Sequence, residues 1–84
     1  MPKETFEIGE REKHIFTVER DVILKRTKIE LDGVIVTNEM HISLRGKKFL
    51  FDVGSSEPHH VEITWAPFHG IELKVDGQKV HPSR

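Results

Sequence analysis

Ile71-Glu72-Leu73-Lys74-Val75-Asp76-Gly77 alternates strictly, with apolar side chains at 71, 73 and 75 and charged ones between them. Successive side chains of a strand point to opposite faces, so this spacing builds one dry face and one wet face. The Asp-Gly pair that ends the run is a hairpin signal, because both central residues of a type I′ turn need positive φ.

The same pattern extends outward in the N-terminal direction. Val61, Ile63 and Trp65 alternate with Glu62 and Thr64. Phe49, Phe51 and Val53 surround Leu50 and Asp52, and Ile42 and Leu44 alternate with His41, Ser43 and Arg45. Ile29 and Leu31 flank Glu30 and run into a second Asp-Gly, Asp32-Gly33. Phe16 and Val18 flank Thr17, and Phe6 and Ile8 flank Glu7. No window keeps the i, i+3, i+4, i+7 pattern of a helix. Arg45-Gly46-Lys47-Lys48 closes a further hairpin, while Gly54-Ser55-Ser56-Glu57-Pro58 and Ala66-Pro67-Phe68-His69-Gly70 read as loops.

These runs predict an all-β chain, a single antiparallel β-sandwich of about seven or eight strands with turns every 8–12 residues or so. Residues 1–84 read as one domain, ordered from about 5 to 80, with fraying ends. The expected core is Ile8, Phe16, Val18, Ile29, Leu31, Val34, Val36, Ile42, Leu44, Phe49, Phe51, Val53, Val61, Ile63, Trp65, Ile71, Leu73 and Val75. Ile29-Glu30-Leu31-Asp32-Gly33 echoes Leu73-Lys74-Val75-Asp76-Gly77, which two similar hairpins explain as turn chemistry.

Composition agrees with this reading. Of 84 residues, 8 are valine, 8 isoleucine and 5 threonine, and Ala66 is the one alanine. Side chains this stiff at χ1 disfavour a helical bundle. With 13 basic and 14 acidic residues the net charge is −1, which gives no electrostatic footprint for nucleic acid. The chain has no cysteine, so disulfide frameworks, thiolate metal sites and cysteine nucleophiles are excluded. No apolar run approaches the roughly 18 residues that cross a bilayer, and the charged N-terminus lacks a secretory h-region. The expectation is a cytoplasmic chain without a membrane partner.

Six histidines invite a search for metal ligands, but His14, His41, His59, His60, His69 and His81 show none of the usual ligand spacings. Ser55 or Ser56, His59 or His60 and Asp52 spell a triad on paper, without a Gly-x-Ser-x-Gly elbow. No carboxylate pair falls in a recognisable pocket. The expectation is therefore no enzyme, no cofactor and no metal. Trp65 has the parity of Val61 and Ile63 and so belongs to the core. The alternative makes the protein a small ligand-binding sandwich, for carbohydrate or metal, using Trp65, Phe68, His60 and His69.

Apolar residues that break the alternation are the candidates for protein contact: Val22, Ile23 and Leu24 as a continuous run, and Ile35 and Leu50, together with Ile15, at wet parity. Such breaks fit either a bulge or twisted edge, or a surface for self-association or a protein partner.

From about Arg26 to Val80 the chain resembles the Fas apoptotic inhibitory molecule family. Lys25-Arg26-Thr27-Lys28-Ile29-Glu30-Leu31-Asp32-Gly33 looks like that family's basic strand and Asp-Gly hairpin. The segment from Met40 to Gly54, with Gly46-Lys47-Lys48 inside it, looks like its strand-Gly-Lys-strand-Val-Gly stretch. Gly70 to Val80 looks like its closing strand and Asp-Gly turn. The resemblance implies a non-enzymatic β-sandwich acting through protein contacts, which in the animal family means death-receptor signalling and protection against aggregation. Family members contain two such units, and this chain would be one standing alone. It departs from the family at Val22-Ile23-Leu24-Lys25, where small polar residues and glycine are usual.

Overall fold

The computed structural model describes residues 3–21, 26–40, 47–66 and 70–83. Eight strands are present among them: β1 (Lys3–Ile8), β2 (His14–Asp21), β3 (Arg26–Leu31), β4 (Val34–Met40), β5 (Lys47–Val53), β6 (His59–Ala66), β7 (Gly70–Val75) and β8 (Gln78–Val80). They form two four-stranded antiparallel sheets in sequential order, β1-β2-β3-β4 and β5-β6-β7-β8. Among the described residues no helix is long and apolar enough to cross a membrane. The expected Arg45-Gly46 turn, with Ile42 and Leu44, lies outside the described residues; β4 and β5 on either side of it belong to different sheets.

The two sheets share one core. Phe6, Ile8, Phe16, Val18 and Ile29 of the first sheet cluster with Phe49, Val53, Val61, Ile63 and Leu73 of the second. Phe16 and Phe51 meet across the sandwich with ring centroids 5.6 Å apart. Burying each such side chain stabilises the fold by about 1.5–3 kcal/mol relative to exposure. Leu31, Phe51, Ile71 and Val75 pack at the margin. Phe6, absent from the expected core, is fully buried because it pairs directly with Phe16.

Both Asp-Gly pairs form the two-residue turns expected of them. Asp32 and Gly33 have φ of 53° and 84°, and Asp76 and Gly77 have 50° and 85°. The turns pair Leu31 with Val34 and Val75 with Gln78.

Val34 and Val36 are a correction to the expected core, being 64% and 41% exposed. The cause is a bulge on an edge strand. Glu30 pairs with Ile35, but Ile29 pairs with Thr37, so Val36 is the extra residue. The slip reverses the parity of β4, and Thr37 rather than Val36 takes the core-facing position opposite Ile29. Val34 shares the face of Leu31 but sits on the outermost strand beside the turn, where little covers it.

Candidate functional site

The echo between the two Asp-Gly hairpins is more than turn chemistry. Gly9-Glu10-Arg11-Glu12-Lys13-His14 precedes the first hairpin and Gly54-Ser55-Ser56-Glu57-Pro58-His59 the second, so Gly-x-x-Glu-x-His occurs twice in step. Each sheet carries one copy, in the loop between its first two strands.

Both glycines are required by geometry. Gly9 and Gly54 have φ of +91° and +99°, and an added Cβ would lie 2.1 Å from the Glu12 carbonyl oxygen and 2.3 Å from that of Glu57. The tight turn this permits points a cluster of backbone N–H groups outward, a concavity that attracts an anion. Each loop supplies the anion for the other. Glu57 accepts from the N–H groups of Glu10, Arg11 and Glu12 at 2.9, 2.7 and 3.3 Å. Glu12 accepts from those of Ser55, Ser56 and Glu57 at 3.1, 2.8 and 3.2 Å, and from the Ser56 hydroxyl at 2.8 Å.

The histidines fix these carboxylates. His14 lies 2.6 Å from Glu12 through Nε2 and 2.6 Å from Asp32 through Nδ1. His59 repeats this with Glu57 at 2.5 Å and Asp76 at 2.6 Å. The second oxygen of each aspartate accepts from a strand N–H, Asp32 from Ile15 at 2.8 Å and Asp76 from His60 at 2.9 Å. A histidine between two carboxylates donates from both ring nitrogens, so its charged form is favoured. The hydrogen bond to Asp32, then that to Glu12, holds the His14 pKa above its ordinary value; Asp76 and then Glu57 do the same for His59. In return His59, then the Arg11 and Glu10 N–H groups, hold Glu57 down at about 2. Glu12 is lowered further, first by His14 and then by Ser56. Asp32 and Asp76 are lowered by their histidine and then by the strand N–H.

The paper triad is not assembled. The Ser56 hydroxyl is given to Glu12, His59 is held between Glu57 and Asp76, and His60, on the outer face, pairs with Asp52. Among the described residues no group of three or more His, Asp and Glu side chains is placed to hold a metal ion.

Further along β2 and β6, Arg20 and Trp65 occupy equivalent positions, the same distance past His14 and His59. The Arg20 guanidinium carbon stands 3.4 Å from the Trp65 ring centroid. Trp65 is thus a buried ring covered by Arg20 rather than an open platform. Arg20, only 5% exposed, is the buried charge that sequence reading missed; its parity with Phe16 and Val18 was the available signal. Among the described residues, its Nε and Nη1, and the buried Thr27 hydroxyl across from it on β3, have no hydrogen-bond partner. Phe68 and His69 lie outside the described residues.

Of the candidate contact residues, Ile35 and Leu50 are exposed, as is Ile15, while Val22, Ile23 and Leu24 lie outside the described residues. Ile15 and Ile35 share the outer face of the first sheet, and Leu50 lies on the outer face of the second. Leu50 therefore does not extend the Ile15–Ile35 surface. The repeat supplies an internal comparison for β4. Val34 and Ile35 follow the first Asp-Gly turn; Gln78 and Lys79, also exposed, follow the second in the same register.

Searches for similar proteins found no matching family model, no matching curated protein and no matching solved structure.

Proposed function

We propose that the protein is a non-catalytic β-sandwich that works by protein contact, self-associating through the β4 edge, in line with the mode of action implied by its resemblance to the Fas apoptotic inhibitory molecule family. One observation carries the reading. Val34 and Ile35 are 64% and 53% exposed at positions where the second half of the same fold has Gln78 and Lys79. The β8 hairpin forms with polar side chains there, so the fold itself does not call for apolar ones. Exposed apolar side chains on an edge strand with unpaired N–H and C=O groups favour association with another chain. The β4 edge is seven residues long against three for β8.

The test copies β8 onto β4. Sedimentation velocity over a concentration series should show a concentration-dependent larger species for the natural chain. In the double variant Val34→Gln, Ile35→Lys that species should be lost with the melting temperature unchanged. A natural chain that sediments as a monomer throughout the series overturns the reading.

A further inference from the structure

At one end of the sandwich stands an arrangement whose parts are all in contact and whose state depends on reversible protonation. It is the pair of loops 9–13 and 54–58, crossed through Glu12 and Glu57, with a histidine behind each carboxylate. We propose that these loops form a proton-operated latch, closed while His14 and His59 are imidazolium ions and released when they lose a proton.

The geometry sets the direction. Each ring has both nitrogens 2.5–2.6 Å from carboxylate oxygens, which only the doubly protonated ring can satisfy. Removing one proton leaves a ring nitrogen lone pair facing a carboxylate lone pair. One side of the bridge must then separate. The two carboxylates differ in what they hold: each aspartate is tied within its own sheet through Ile15 or His60, whereas each glutamate, left without its imidazolium partner, is the one bonded to the opposite loop.

Glutamate movement acts on the opposite loop. Glu12 holds the Ser55, Ser56 and Glu57 N–H groups, so deprotonation of His14 frees the 54–58 loop; deprotonation of His59 frees the Glu10, Arg11 and Glu12 N–H groups. The other charged groups around the rings leave this direction in place. Lys13 lies 3.6 Å from Glu7, His60 pairs with Asp52 on the outer face, and Glu10 and Arg11 of the 9–13 loop and Lys79 of β8 line the cleft beside His59. Both loops wall a cleft of about 630 Å³ completed by Gln78, Lys79 and Val80 of β8, so release reshapes that cleft.

The crossed wiring gives the experiment. Imidazole ¹⁵N spectra of the full chain should show both nitrogens of His14 and His59 protonated at pH 6. Amide exchange, corrected for intrinsic rates, should show protection at 10–12 and 55–57 that is lost as the rings titrate. In His14→Gln at pH 6, protection should fall roughly tenfold or more at 55–57, the opposite loop, with Val18 and Ile63 as controls for the intact core. His59→Gln should do the same at 10–12. If a variant fails to fold, the titration of the natural chain decides. Rings that are singly protonated at pH 6, or protection that is constant through their titration, overturn the proposal. So does loss confined to the variant's own loop.

Discussion

Glu12 and Glu57 each neutralise the N–H groups of the loop that carries the other, so neither loop is complete alone. The sheets are therefore joined at this end by charged hydrogen bonds as well as by the core. Replacing either glutamate by glutamine keeps the shape and removes the charge. Each single change is expected to lower the melting temperature by several degrees. The double change should cost less than the sum, because each loop's order depends on the other. Thermal unfolding of the three variants checks this; strict additivity would contradict the reciprocal bond.

Gly9 and Gly54 differ from the hairpin glycines in what surrounds them. Gly77→Ala meets nothing within 4 Å and bears only the strain of positive φ, about 1–2 kcal/mol. Gly9→Ala and Gly54→Ala add a collision with a backbone carbonyl at 2.1 and 2.3 Å. Urea unfolding should show a cost at least about 2 kcal/mol larger at these two sites than at Gly77.

Arg20 and Trp65 hold a different bargain. A buried guanidinium is costly, and stacking on indole offsets it by about 2 kcal/mol when desolvated. Trp65→Leu should destabilise by about 3 kcal/mol or more, through lost packing and a stranded charge. Arg20→Met keeps the apolar stem and discards the charge, and should be neutral or stabilising. The double variant should recover part of the Trp65→Leu loss in a denaturation cycle; no recovery would mean that the charge carries no weight.

The pH dependence follows from the signs of the shifts. Glu12, Asp32, Glu57 and Asp76 have lowered pKa values, so their contribution is complete above the ordinary carboxylate range and lost as pH falls through the folded values, about 2 for Glu57. His14 and His59 are raised from 6.5, so theirs is complete below 6.5 and lost as pH rises through the folded values. The melting temperature should peak at about pH 5–6. It should fall on both sides, and the alkaline fall should be shallower in the double variant His14→Gln, His59→Gln.

How much of this the sequence discloses depends on the range of each interaction. The Asp-Gly turns and the alternation of Ile71, Leu73 and Val75 are local, and both read directly onto the structure. Val36 misled because a bulge is a register event between two strands, and Val34 because it lies on an edge strand; the alternation of one strand shows neither. The latch escaped for a different reason. Glu12 and Glu57 look like ordinary loop glutamates until the two sheets bring their loops together, although Gly-x-x-Glu-x-His stands twice in the sequence and could have flagged the pair. Arg20 had the parity of a core residue, but a charged side chain reads as solvent-exposed by type.

Self-association through β4 is tested most directly by a dilution series of amide spectra, because it reports position as well as occurrence. Amides of Val34, Ile35 and the rest of β4 are expected to shift with concentration while Gln78, Lys79 and Val80 stay fixed. Spectra that do not change on dilution, or shifts centred on β8 instead of β4, would contradict it.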